Sequence, residues 1–398
     1  MLKLKKLDNN KNIEGKRVLL RADFNVPING GSITETSRIE KVLPTIKSLI
    51  NKKAKIIIIS HLGRPNGKII PELTLKPIAK KLSNYLNQDV IFIDKNVGDN
   101  VIQKSKEISN GQVLLLENLR FCKEEELNSE SFAKELSKNG DIYINEAFSC
   151  SHRAHASVSE ITKHIQPYAG EMLLKEVSVI KMLTSNAKRP VACIIGGSKI
   201  STKIGVIKNL IKKMETIVIV GALANNFIKH KGHKIGKSMF EKNQESLVKE
   251  IIEQPKKNNC NFVLPVDVIV SKNHNSKGQL KTLDRIDDTD LILDIGEKTI
   301  ENISKIIDES KTVLWNGPPG YFELKDFSAG SNKIAKKIAA NTKNKSLVSI
   351  AGGGDTAAAI KMSKCSKDFT YISTAGGAFL ELLEGKTLPG IKALETNE

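Results

Sequence analysis

Apolar and polar positions along the 398-residue chain follow two alternating rhythms. Short runs of Val, Ile and Leu are separated by longer stretches in which apolar residues recur at helical spacing. In the first half the runs are RVLLRADF, AKIIIISHL, DVIFID, QVLLLENL and DIYINEAF. In the second they are VACIIGG, TIVIVGA, NFVLPVDVIV, DLILDIG, TVLWNGPP, SLVSIAGG and FTYISTAGG. Continuous apolar runs belong to strands buried on both faces, and the intervening lengths suit βαβ crossovers. The pattern predicts an α/β protein of two parallel sheets, each wrapped by helices in three layers. Residues 170–185, GEMLLKEVSVIKMLTS, follow the QPYAG break with apolar residues at helical spacing and no Gly/Ser/Pro-rich tract. A helix joining two domains is therefore expected there rather than a flexible linker. In such folds ligands sit at the carboxyl ends of the strands, and the unusual residues of this chain fall at those ends.

Composition narrows the class. Hydrophobic residues at 40% and aromatics at 5% suit a soluble α/β protein. No apolar run approaches the roughly 20 residues that span a bilayer. MLKLKKLDNNKN carries positive charge without an apolar segment behind it, so no secretory signal is expected. Five cysteines, Cys122, Cys150, Cys193, Cys260 and Cys365, are odd in number and lack a CxxC pair. They read as reduced thiols of a cytosolic protein, with neither a disulfide frame nor a zinc site. The formal charge of +18 comes from dispersed lysine, with no basic stripe interleaved with aromatics. That pattern argues against a nucleic-acid-binding module, although the field would recruit small polyanions. Only eight of the 62 basic residues are arginine, and six of them, Arg17, Arg21, Arg38, Arg64, Arg120 and Arg153, precede residue 155. A chain that supplies charge with lysine reserves arginine for places where a planar, bidentate fork matters.

Candidate chemistry differs between the halves. In SIAGGGDTAAAI a strand meets three glycines and a helix predicted to start near Asp355 and Thr356, which aims free N–H groups and a positive dipole end at one spot. The same residues also serve a plain helix cap after a tight turn. Gly352, Gly354 and Ala357 match G-x-G-x-x-A, the fingerprint of a nicotinamide dehydrogenase, but no ribose-binding βα unit follows. In IIGGSKISTKIGVIKNLIKK, Lys199 and Lys203 fall four apart at the start of a predicted helix, either facing an anion or simply solvated. GKS at 236–238 and GKT at 385–387 lack the preceding glycine of a Walker A loop. WNGPPGYFE reads as an ordinary turn, or as a rigid loop for an adenosine with Glu323 on the ribose. The first-half strand ends instead carry RADFNVP, TSRIE, SHLGRP, ENLRF and SHRAHAS, a ring of arginines suited to a small carboxylate or phosphate. His152 and His155, three apart without a carboxylate triad, make a weak metal signal, and no Ser-His-Asp or Cys-His nucleophile set is visible.

RADFNVP, SHLGRP, LLLENLRF, NEAFSCSHRAHAS, GGSKISTK, WNGPPGYFE, GGGDT and STAGGAFLELLEGKTLPG, in this order from about residue 15 to 393, resemble the phosphoglycerate kinase family. The resemblance implies a monomeric, cytosolic, glycolytic enzyme of two Rossmann-like lobes closing about a hinge. It would move the acyl phosphate of 1,3-bisphosphoglycerate to Mg·ADP, giving 3-phosphoglycerate and ATP. By the same resemblance an N-terminal lobe, 1–170 completed by 386–398, takes the three-carbon acid. Its binding residues would be Asp23, Phe24, Asn25, Arg38, His61, Leu62, Gly63, Arg64, Arg120 and Arg153. A C-terminal lobe, 171–385, takes nucleotide through Lys203, Leu293, Asn316, Pro318, Glu323, Gly353, Gly354, Asp355 and Thr356, with Asp355 on Mg²⁺. Arg38, Lys199, Lys203, Gly376 and Gly377 would stabilise the moving phosphoryl group. The chain departs from the family at Val220-Gly221-Ala222, Glu297, Ala375 and Phe379, the first of which lies where the nucleotide-pocket wall is expected.

Overall fold

The computed structural model describes residues 3–8 and 11–396. The chain divides into two compact units, Met1–Ser178 with Thr387–Glu398, and Val179–Lys386. The division falls inside helix Glu171–Ser185, whereas the sequence placed the boundary ahead of it. The first turn explains the difference. Glu146 accepts from the Met172 and Leu173 N–H groups at 3.0 and 3.1 Å, anchoring the start of this helix in the first unit.

The first unit holds strands β1 (Arg17–Arg21), β4 (Lys55–Ile59), β5 (Val90–Ile93), β6 (Val113–Leu116), β7 (Ile142–Asn145) and β8 (Pro167–Ala169), with a separate hairpin of β2 (Ile28–Asn29) and β3 (Ser32–Ile33). The six form one parallel sheet in the order β5-β6-β4-β1-β7-β8. Alternate residues of the apolar runs feed two cores. Val18, Leu20, Ile56 and Ile58 pack on one face, and Leu19, Ile57 and Ile59 on the other. Strand β8 lies in the QPYAG stretch that the sequence suggested was a break. It is three residues long and starts with proline, which an edge strand tolerates. Gly390 N–H donates to Ser151 O at 2.9 Å and Lys5 N–H to Leu394 O at 3.0 Å, so the described segments near both termini join this unit.

The second unit holds β9 (Val191–Ile195), β10 (Thr216–Ile219), β11 (Asn261–Val263), β12 (Asp267–Ser271), β13 (Gln279–Thr282), β14 (Leu291–Ile295), β15 (Thr312–Asn316), β16 (Val348–Gly352) and β17 (Tyr371–Ser373). Six build a parallel sheet, β11-β10-β9-β15-β16-β17, around a core that includes Ile194, Val218, Val313 and the buried Trp315. The others correct the sequence reading. NFVLPVDVIV is two strands parted at Pro265, and only the first joins the parallel sheet. The second pairs antiparallel with β13 and with β14, the predicted DLILDIG strand, in a small separate sheet. Strand β13 is mostly exposed and lacks the apolar run that marks a buried strand. Among the described residues no helix is long and apolar enough to cross a membrane.

Candidate functional site

In the first unit β4, β1 and β7 are neighbours and parallel, so the segments after them emerge at one edge, joined by the segment after β6. Asp23, two residues beyond β1, is nearly buried. Its Oδ2 accepts from Arg38 Nη1 at 2.5 Å and from the Ser149 hydroxyl, while Oδ1 accepts from Asn25 N–H at 3.0 Å. Arg38 reaches it from the first turn of helix Ser37–Asn51. Asn25 Oδ1 accepts from Gly63 N–H at 2.9 Å, and Arg120 Nη1 donates to Gly63 O at 2.6 Å. Asn118 binds these loops together: its Oδ1 accepts from Leu62 N–H and Arg120 N–H, each at 3.1 Å, and its Nδ2 donates to Leu62 O at 2.8 Å. Asp23, Asn25, Arg38, Gly63 and Arg120 thus form one bonded lattice. Burial, and then Arg21 and Arg153, work to lower the Arg120 pKa. Arg64 is exposed on the turn after Gly63, and Arg153 Nε donates to His152 Nε2 at 3.2 Å. The Phe24 and Leu62 side chains lie in the core and offer a ligand only backbone.

His61 is buried beside Arg21 and Cys150. Burial, then Arg21, Arg120, Arg38 and His155, push its pKa well below the usual value, so it is neutral. Ligand atoms of Asp23, His61 and Cys150 fall within 4.8 Å of one another, a set suited to a soft divalent ion. Arg38 and Ser149 occupy the Asp23 carboxylate, however, and Arg21 faces the His61 Nδ1 lone pair, which commits these atoms to the protein. His155 is pulled down to about 3 by burial and the nearby arginines, and its Nδ1 lies 3.8 Å from Glu125. Ser149, Asn118 and Cys150 were not singled out in the sequence, where an isolated Ser, Asn or Cys within a polar loop carries no periodic or charge signal.

The second unit is built from glycine. Gly196 and Gly317, after β9 and β15, lie back to back: a Cβ on Gly196 would stand 2.4 Å from Pro318 O, and Gly317 has φ +99°. Gly353, with φ +97°, caps helix Gly354–Met362, so the first-turn N–H groups sit where the sequence predicted a phosphate cradle. Thr356 Oγ1 donates to Gly352 O at 2.8 Å and accepts from Gly317 N–H at 2.7 Å. Asn316 Nδ2 donates to Gly352 O at 2.6 Å, and its Oδ1 accepts from the Lys203 ammonium. Burial lowers the Lys203 pKa to about 8, against the charge of Asp355, which is exposed in the helix's first turn. Lys199 and Lys203 do not share a helix face as their spacing predicted, because helix Ile204–Ile211 starts after both and Lys203 is its cap. Lys199 lies exposed in the loop before it. Leu293 O accepts from Tyr321 N–H at 2.7 Å, fixing the loop that carries the exposed Glu323. Gly376 and Gly377 open helix Gly376–Glu384, with open space beside Gly376. Of the departures, Phe379 packs under Gly352, where any Cβ would meet its ring at 2.2 Å. Glu297 starts helix Glu297–Glu309 and pairs with Lys333 at 2.8 Å, a favourable place for a carboxylate.

The family model described as "Phosphoglycerate kinase" matches residues 7–386. Phosphoglycerate kinase of Bartonella bacilliformis is 45% identical over 393 residues, covering 97% of each chain. That of Finegoldia magna is 47% identical over 388 residues, covering 96% of this chain and 97% of its own. Among solved structures, phosphoglycerate kinase from Coxiella burnetii superposes with a TM-score of 0.88 at 38% identity, covering 98% of this chain and 99% of that one. The enzyme from Pyrococcus horikoshii OT3 gives 0.85 at 29% identity, covering 98% of both. On this agreement of motifs, fold and nearly full-length likeness, the chain belongs to the phosphoglycerate kinase family.

Proposed function

We propose that this chain reversibly transfers the acyl phosphate of 1,3-bisphosphoglycerate to Mg·ADP, forming 3-phosphoglycerate and ATP in glycolysis. The observation that carries this reading is the pairing of an interlocked arginine–carboxylate lattice in one unit with a glycine cradle and a half-buried lysine in the other. In the transfer, a β-phosphate oxygen of ADP bonds to the acyl phosphorus as the bond to the C1 carboxylate oxygen breaks, and no proton need move. Little covalent help is required, because the barrier lies in alignment and in charge on the passing PO₃ group. Asp23, Asn25, His61, Arg64, Arg120 and Arg153, with backbone from Phe24, Leu62 and Gly63, hold the three-carbon acid. Gly353, Gly354 and Thr356 present the phosphate cradle, and Asn316 and Lys203 flank it. Leu293, Pro318 and Glu323 hold the nucleoside. Arg38, Lys199, Lys203 and the N–H groups of Gly376 and Gly377 stabilise the charge that develops on the phosphoryl oxygens.

Asp355 is the proposed Mg²⁺ ligand. Its exposed carboxylate sits at the cradle's rim, near enough for its charge to act on Lys203. Such an oxygen suits an ion bound by one carboxylate together with substrate phosphates. Bound there with the nucleotide, the ion would neutralise phosphate charge. Five free cysteines and the family's glycolytic role support a cytosolic enzyme, which we take to be a monomer acting on small molecules and not on nucleic acid or membrane. The direct test supplies 3-phosphoglycerate and Mg·ATP and follows NADH consumption by glyceraldehyde-3-phosphate dehydrogenase. Activity should require Mg²⁺ and both substrates. ATP hydrolysis indifferent to 3-phosphoglycerate would refute the assignment.

A further inference from the structure

We propose that Arg21 is a positioning residue: it holds His61 as the neutral tautomer protonated on Nε2, so that the imidazole meets phosphoglycerate as an uncharged hydrogen-bond donor. The proposal rests on the reading that His61 faces the three-carbon acid.

Arg21 ends β1 and is 1% exposed. Its Nη2 lies 3.2 Å from His61 Nδ1. A guanidinium has five N–H donors and no acceptor, so the atom it meets must offer a lone pair. Nδ1 is therefore unprotonated, and the single proton of the neutral ring is on Nε2. The guanidinium has little freedom to turn away. Nε donates to Ser157 Oγ at 2.8 Å, and Nη1 donates to Ala22 O. Ser157 in turn donates from Oγ and from N–H to the two oxygens of the fully buried Glu125, at 2.6 and 2.9 Å. Tyr143 OH holds Ser157 O at 2.7 Å. The counter-charge of Arg21 thus stands one hydroxyl away, behind the site and out of the ligand's reach.

The groups around His61 come from every neighbouring segment. Arg21 is on β1, Arg38 on helix Ser37–Asn51, Arg120 on the turn Leu119–Phe121, and His155 on the loop after the turn Phe148–Cys150, all lowering its pKa after burial. Asp23 and Cys150 complete the cluster. Protonating Nδ1 would set N–H against N–H and add a positive charge beside three guanidiniums. An anionic substrate oxygen therefore finds a fixed donor that neither titrates nor changes tautomer.

The test is histidine ¹⁵N NMR on the full-length chain, with the His61 signals identified by their loss in His61→Gln. Expected is a lone pair on Nδ1 and a proton on Nε2, unchanged from about pH 5 to 8, the range where free histidine titrates. A proton on Nδ1, or an imidazolium in that range, overturns the role of Arg21. Arg21→Met, of similar length but without donors, should free the tautomer and raise KM for 3-phosphoglycerate about tenfold, as for one lost hydrogen bond to a charged group. Its kcat and its KM for Mg·ADP should change less, and Arg21→Lys should restore part of the loss. An unchanged tautomer in folded Arg21→Met would refute the proposal, and the wild-type spectrum decides the matter if that variant does not fold. Unaltered 3-phosphoglycerate affinity in His61→Gln would instead overturn the substrate reading, leaving the tautomer result to stand or fall by the spectrum.

Discussion

In the first unit the strand ends present side chains that hold one another: Arg38 and Ser149 on Asp23, Asn25 and Arg120 on Gly63, Arg21 on His61. In the second they present mostly bare backbone, with Gly196 against Gly317 and Pro318, Gly352 over Phe379, and the Lys203, Asn316 and Thr356 side chains reaching in. The difference follows from the proposed ligands. A three-carbon acid offers few atoms and is best gripped by long charged side chains fixed in advance. A nucleotide's phosphates are many-oxygened anions that N–H groups at a helix start can surround at close range. The first site should therefore fail when its chemistry is altered at constant charge, and the second when volume is added at constant chemistry.

The largest effect is expected from altering geometry at Arg38. Lysine there keeps the charge but cannot span a carboxylate and the passing phosphoryl group with one planar fork. Arg38→Lys should lower kcat about 100-fold or more, as does loss of one preorganised donor, with a modest change in KM for 3-phosphoglycerate. Near-native kcat with only KM altered would reduce Arg38 to a binding residue. Arg17 begins strand β1, where it pairs with Asp141 at 2.7 Å and donates to Lys138 O at 2.9 Å. Arg17→Lys should cost stability while leaving turnover intact.

Added volume should act next most strongly, and on the other ligand. A methyl on Gly196 would lie 2.4 Å from Pro318 O and 2.6 Å from Gly317 O, and backbone cannot swing aside as a flexible side chain can. Overpacking of this kind costs about 1–3 kcal/mol, so Gly196→Ala should weaken Mg·ADP binding by about tenfold or more. Calorimetry with 3-phosphoglycerate should remain near wild type. Equal losses for both ligands would point to general unfolding, and undiminished Mg·ADP affinity would show that the cradle is looser than its contacts imply.

The same contrast governs what the sequence disclosed. The buried parallel strands were legible because continuous Val/Ile/Leu runs have few other uses, as in Ile56–Ile59 and Val113–Leu116. Strands β8 and β13 were not, since an edge or an exposed sheet needs neither length nor apolar continuity. The apolar run of β14 identified a strand but could not say that its partner, β12, is antiparallel. In the sites, arginines stood out against a lysine-rich background, while the Gly196–Gly317 contact joins residues that only the fold makes neighbours. Spacing misled at Lys199 and Lys203 because it presumed a helix that begins only after both. Leu62 and Phe24 stand within recognisable motifs, yet their side chains serve the core.

The smallest effect is a pH dependence that should divide the two ligands. Burial brings the Lys203 pKa down to about 8 from its ordinary 10.5, with the charge of Asp355 opposing the fall. Between those two values the native state binds fewer protons than the unfolded chain. Lys203 therefore costs stability below about pH 8, and that cost is relieved as pH rises toward 10.5. Binding runs the other way, because the phosphates need the ammonium. Mg·ADP affinity should fall several-fold as pH rises from about 7 to 9, approaching tenfold per unit once the neutral amine dominates. Lys203→Arg keeps its charge throughout, so its affinity should be level over the same interval even if lower at pH 7. The 3-phosphoglycerate affinity should also stay level, since the His61 pKa is far below this range. Calorimetry of both ligands across the interval tests all three expectations. A wild-type Mg·ADP affinity that does not change with pH would mean that Lys203 does not supply charge to the phosphates, and the cradle would then act through backbone N–H groups alone.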